Sequence, residues 1–135
     1  MKENQVIALI SNDKVGKVMA GPGIRYFELA KAFSRHFKTV LFVPDSCDLE
    51  SKDFEIRIYN SSKISSSTGS KIKDIDFVIA QSMRPPLIQK VKLLGIKYIA
   101  DMYDPLTIEV LEYARFDSEK TQSNVYNFNY YSQSL

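Results

Sequence analysis

Four short apolar runs, each separated from the next by helical or loop-like sequence, constrain this chain more than any other feature. VIALI at 6–10, TVLFV at 39–43, DFVIA at 76–80 and IKYIA at 96–100 are close to continuous instead of alternating. Continuous apolar character over so few residues marks strands covered on both faces, as parallel strands are. A fifth run at 54–59 interleaves Phe54, Ile56 and Ile58 with Glu55 and Arg57, and reads as a thinner strand near a sheet edge. Between them, Ile24, Phe27, Leu29, Ala30, Phe33 and Phe37 recur at spacings near three and four, which predicts a helix. It is expected to begin between Pro22 and Arg25, to bury Phe27, Ala30 and Phe33, and to turn Arg25 away from the core. Pro85 to Leu94 carries the stripe Leu87, Ile88, Val91 and Leu94, with Gly95 as its stop. Leu106 to Tyr113 repeats the pattern through Ile108 and Leu111. The predicted fold is therefore a three-layer, Rossmann-like α/β sandwich: strands near 5–10, 38–43, 54–58, 75–80 and 96–100 in a mainly parallel sheet, with helices on both faces.

The chain has 135 residues, 44% hydrophobic and 25% charged, enough for one domain with a substantial core. Residues 1–116 read as that domain. Residues 117–135 form a polar, aromatic tail with Tyr126, Phe128, Tyr130 and Tyr131 but no further strand and helix pair. A sheet of this kind is expected to continue, so the sequence reads as cut short. Asn60 to Ser70 is serine-rich and reads as a surface loop.

Charge and composition exclude several classes of function. Eighteen Lys plus Arg against sixteen Asp plus Glu give a net charge of +2, far from the positive field that nonspecific nucleic-acid binding uses, and the aromatic residues do not alternate with basic ones. Cys47 and His36 are each alone of their kind, so no multi-cysteine or histidine metal site is expected, and no cofactor is called for. The start carries Glu3 and too short an apolar run for a signal peptide or membrane helix, which makes the cytoplasm the expected location.

Ligands of open parallel sheets bind outside the carboxyl ends of the strands, so function is sought in the loops that arrive there. Gly21-Pro22-Gly23 feeds the first helix. Either it admits a phosphate or sugar close to the backbone, or it is only a tight helix entry. It matches neither GxxxxGK[ST] nor a GxGxxG placed directly after the first strand. Lys14 and Lys17 flank Gly16 in the same loop and are read as solvated charge or as anion contacts. Arg25 in the first helical turn opposes the helix dipole, so it pairs either with a ligand anion or with a nearby acid such as Glu28. Asp101 and Asp104 in DMYDP would orient hydroxyls or act as acid and base, or else cap and pack. Tyr103 between them would stack on a sugar face or close the core edge, and Arg84 is a further anion contact or a surface charge.

GPGIRYFELAKAFSRHF, preceded by VIALIS, followed by TVLFVPD and joined by IADMYDP, resembles the opening of the retaining glycosyltransferases called family 4. The likeness runs over roughly residues 5–114, with motif agreement confined to Gly21–Ala30 and Tyr98–Pro105. The resemblance implies the GT-B arrangement of two Rossmann-like domains across a cleft, of which this chain would be most of the N-terminal, acceptor-binding one. It implies that Gly21 and Gly23 lie beside the donor diphosphate or the acceptor, that Arg25 faces the cleft, and that Asp104 acts as the catalytic residue near the transferred sugar. Some relatives carry histidine at that place. Arg84, Asp101 and Tyr103 join Gly21, Gly23 and Arg25 as substrate-binding candidates. The implied partners are a nucleotide-sugar donor, held mainly by the missing second domain, and a carbohydrate or lipid-linked acceptor, the latter bringing peripheral membrane association of the parent. The piece alone is expected to be inactive. The alternative is a noncatalytic ligand-binding or response-regulator-like α/β domain.

Overall fold

The computed structural model describes residues 5–63, 68, 71–81, 83, 85–102, 112, 115, 118–121 and 123–124. Five strands, β1 (Val6–Ile10), β2 (Lys38–Pro44), β3 (Glu55–Tyr59), β4 (Phe77–Ala80) and β5 (Lys97–Ala100), form one sheet in the order β3-β2-β1-β4-β5. Every pairing is parallel, with Ile7 opposite Thr39 and Phe77, and Ile79 opposite Ile99. The first strand of the chain is thus the middle of the sheet, and the order reverses there. All five expected strands are present, within two residues of their expected bounds, and β3 is an edge strand as its interrupted pattern predicted. The expected helix at Leu106 to Tyr113 falls outside the described residues, apart from Glu112.

Two of the described helices lie on opposite faces. Helix α1 (Gly21–Ser34) packs with Ile7, Leu9, Leu41, Val43 and Ile79 on one face, and α2 (Pro85–Leu93) sends Leu87, Ile88 and Val91 into a cluster with Ala8, Val40 and Val78 on the other. This is the period-two division expected of a sheet buried on both sides. Helix α2 stops at Gly95, whose φ is +69°. The Ile96 N–H bonds to the Val91 carbonyl at 3.0 Å and the Gly95 N–H to the Lys92 carbonyl at 3.0 Å. That is a Schellman cap, in which a left-handed residue that glycine adopts without strain returns the chain to the sheet. At the amino edge, the Asp76 carboxylate accepts from the Val6 N–H at 2.8 Å and its own N–H donates to the Val6 carbonyl at 2.9 Å, clamping the start of β4 to β1.

Helix α1 differs from its expected shape in two ways. It begins at Gly21, so Gly21, Pro22 and Gly23 are its first turn and not a turn ahead of it, and neither glycine has a positive φ. Its inward stripe is Gly23, Tyr26 and Ala30, not Phe27, Ala30 and Phe33. The small residues at 23 and 30 let the backbone approach closely, and Tyr26 fills the space between them. Phe27 is half-buried and packs edge-on against Phe54, ring centroids 5.4 Å apart, while Phe33 is half-buried on the opposite flank.

Candidate functional site

The carboxyl edge of the sheet is built from the loops after β1, β2, β4 and β5, and main-chain bonds fix their relative positions. Ser11, just past β1, donates its N–H to the Phe42 carbonyl at 3.0 Å and accepts on its own carbonyl from the Tyr59 hydroxyl at 2.7 Å. After β2, Asp45 takes a positive φ of 58°, and its carboxylate accepts from the Ser61 N–H at 2.9 Å and hydroxyl at 2.7 Å. Those two bonds, the main-chain one first, hold the Asp45 carboxyl below its ordinary range.

The loop from Lys14 to Met19 lies directly on the first turn of α1. A Cβ placed on Gly23 would collide with the Lys14 carbonyl oxygen and come within 3.2 Å of the Met19 Cβ. Gly23 therefore serves close packing of the protein's own backbone. Around Gly21, by contrast, nothing lies within 4 Å of such a Cβ. Of the two glycines, only Gly21 has the open surroundings that ligand approach requires. Asp48 pins the loop by accepting the Lys17 N–H at 2.8 Å, and Lys14 and Lys17 are exposed.

While Glu28 pairs with Lys31 at 2.8 Å, Arg25 reaches a distant acid. Its guanidinium instead forms a fork with Asp101 at the end of β5: Nε to Oδ2 at 3.1 Å and Nη2 to Oδ1 at 2.8 Å, across 76 positions of sequence. The Arg25 side chain is 38% exposed and that of Asp101 12%. A bidentate guanidinium–carboxylate pair fixes both planes as well as the distance. It offsets the unfavourable dipole position of Arg25, and it ties α1 to the β5 end of the sheet.

Tyr26, the neighbour of Arg25, is 2% exposed, and its hydroxyl is buried with no well-formed hydrogen bond among the described residues. Burial, then the Asp101 carboxylate, push its ionisation well above the ordinary tyrosine range, against the Gln81 main chain and Arg25. It is a neutral group at the heart of the site. In the sequence Tyr26 is outside the stripe that the more apolar Phe27 and Phe33 define. The signal that would have found it is the spacing of Gly23, Tyr26 and Ala30, three and four apart, with two small residues around one large one.

Beside the ion pair, a groove of about 410 Å3 runs along the α1 face of the sheet. Ile7, Ile79 and Ile99 form its floor, Leu29 and Phe33 of α1 form one wall, and Arg25 and Asp101 stand at its carboxyl end. On its floor Ile7 and Ile79 are buried in the cluster that packs on α1, whereas Ile99 on edge strand β5 is 48% exposed.

Arg25 and Asp101 are thus brought together, with Gly21 and Gly23 in the same helical turn as Arg25. Arg84, Tyr103 and Asp104 lie outside the described residues. Among the described residues, no group of three or more His, Cys, Asp or Glu is arranged to hold a metal ion, and no helix is long and apolar enough to cross a membrane. No model of a known protein family matches the chain, and no curated protein matches it either.

Proposed function

We propose that this chain is the N-terminal, acceptor-side domain of a retaining glycosyltransferase that moves a sugar from a nucleotide donor to a carbohydrate or lipid-linked acceptor. The observation that carries the reading is the Arg25–Asp101 fork. It joins, at the carboxyl edge of a parallel sheet, the two stretches of sequence in which the family resemblance is concentrated. A ligand edge made from the loop after β1, the first turn of α1 and the segment after β5 is suited to one wall of an interdomain cleft. In such a reaction a diphosphate leaves while an acceptor oxygen is aligned at the anomeric carbon, a task of positioning and charge stabilisation shared between two facing domains.

In this reading Gly21 leaves room for the ligand, Asp101 positions Arg25, and Arg25 faces the acceptor side. Asp104, Tyr103 and Arg84 remain proposals for sugar and anion contacts. The opposing domain would supply the groups that stabilise the leaving diphosphate and would exclude water. Without it this chain alone should not catalyse transfer. The test is an assay of the full-length protein against a panel of nucleotide sugars. Retention of anomeric configuration in the product supports the reading, and the absence of both transfer and donor hydrolysis across the panel defeats it.

A further inference from the structure

Among the described residues, strand β3 has a neighbour only on its β2 side. The Tyr59 carbonyl accepts from the Asp45 N–H at 2.8 Å on that side, so Glu55, Arg57 and Tyr59 turn their main-chain groups to β2. Ile56 and Ile58 turn theirs outward. One outward group is capped: the Lys71 ammonium donates to the Ile58 carbonyl at 2.7 Å. A lysine on a sheet edge is a common guard against pairing with another chain. Beside this edge, on the α1 face, lies a hollow of about 350 Å3 lined by Cys47, Leu49, Phe54, Ile56 and Ile58 among others, and Ile58 is 43% exposed.

The strand is complementary to itself when reversed. A two-fold axis through Ile56 pairs its outward N–H and carbonyl with those of the partner's Ile56. The same register sets Phe54, one residue before the strand, opposite the partner's Ile58, and Glu55 opposite the partner's Arg57. Axes through Glu55 or Arg57 would instead set like charges opposite each other, which is destabilising. We propose that two copies of this chain pair antiparallel through β3 about Ile56, joining their sheets into one, with Lys71 as the gate. Its ammonium must leave the Ile58 carbonyl before the partner's main chain can bond there. Pairing gathers Phe54, Ile56 and Ile58 of both copies into one apolar strip on the α1 face, against the hollow. The contact is isologous, so it closes at two copies. It lies on the edge opposite β5, away from Arg25 and Asp101, and is independent of the glycosyltransferase reading.

The test is sedimentation equilibrium of the 135-residue chain from about 10 μM to about 1 mM, with amide hydrogen exchange followed over the same range. The expected result is a reversible monomer–dimer equilibrium in which exchange at the Ile56 and Ile58 amides slows as the dimer forms. Lys71→Met, which removes the cap from the Ile58 carbonyl, should tighten the dimer by about tenfold or more. Ile58→Lys, at an exposed position of the paired edge, should weaken it by about tenfold or more. Ile99→Lys, at a similarly exposed position on the opposite edge strand, should leave the dissociation constant unchanged and serves as the matched control. A Lys71→Met chain that stays monomeric to about 1 mM overturns the proposal. So does a dimer that Ile58→Lys and Ile99→Lys weaken equally, or one that forms with no slowing at Ile56 and Ile58.

Discussion

The Tyr59 hydroxyl, at the end of edge strand β3, donates a 2.7 Å hydrogen bond to the carbonyl of Ser11, at the end of the central strand β1. It reaches past β2 to do so and is buried, holding the loop that leads to α1. Tyr59→Phe removes the donor and leaves a buried carbonyl unpaired, which should cost about 1–3 kcal/mol in urea unfolding. A loss below about 0.5 kcal/mol would show that water replaces the bond freely.

Gly21 and Gly23, two positions apart, should respond oppositely to alanine. Gly23→Ala drives a Cβ into the Lys14 carbonyl and should destabilise by about 1–3 kcal/mol or more, since backbone cannot yield as a side-chain end can. Gly21→Ala meets open space and should be neutral or stabilising by up to about 1 kcal/mol through helix propensity. Equal effects from the two substitutions would contradict the packing of residues 14–19 on α1.

The Tyr26 hydroxyl is buried without a well-formed hydrogen bond among the described residues, so Tyr26→Phe should leave stability unchanged or raise it by up to about 1 kcal/mol. Phe33→Ala, at a half-buried position on the groove wall, should cost about 1–3 kcal/mol, less than the 3–5 kcal/mol of a fully buried phenylalanine. Chemical denaturation of both variants distinguishes the observed stripe of α1 from the one that aromatic content suggests.

A double-mutant cycle on Arg25→Ala and Asp101→Ala should give a coupling near the upper end of the 0.2–1 kcal/mol range for surface pairs, because the fork is bidentate and Asp101 is largely covered. In the proposed full-length enzyme, Asp101→Asn should raise KM for the acceptor more than it lowers kcat, as expected when a positioning residue is loosened.

Arg57 bonds to Glu55 at 2.6 Å and to Asp74 at 3.0 Å, and these bonds lower both carboxyl pKa values. Depressed carboxyl groups contribute stability above their unfolded values, near pH 4, and the contribution disappears as pH falls through the folded values. Arg57→Met should therefore flatten the acid limb of the stability profile below about pH 4.5 and leave its slope near pH 7 unchanged. Both acids are about half exposed, so the effect should shrink in high salt.

The sheet was readable because burial on both faces writes continuous apolar runs, as in Val6–Ile10, and because Gly95 ends a helix in a left-handed conformation that glycine adopts without strain. The first turn of α1 was not. Gly21 and Gly23 look alike in sequence, and only the path of residues 14–19 separates an open position from a packed one. Long-range pairing was hidden for the same reason. Glu28 is the near acid and Asp101 the distant one, and nothing local distinguishes them until parallel topology brings β5 to the flank of α1. The groove was equally invisible, since its lining comes from α1, β1, β4 and β5 together and not from any motif.

Placing β1 at the centre of the sheet, ahead in sequence of both its neighbours, has a consequence for synthesis. Val6 waits for Asp76, 70 positions later, and at about 5–20 residues per second the ribosome needs roughly 4–14 s to deliver it. Throughout that interval VIALI has at most one neighbour, β2, and its other edge is an apolar template open to any passing chain. Folding speed in this protein should be governed by the closure of that long loop, and nascent-chain chaperones should find their binding segment at Val6–Ile10.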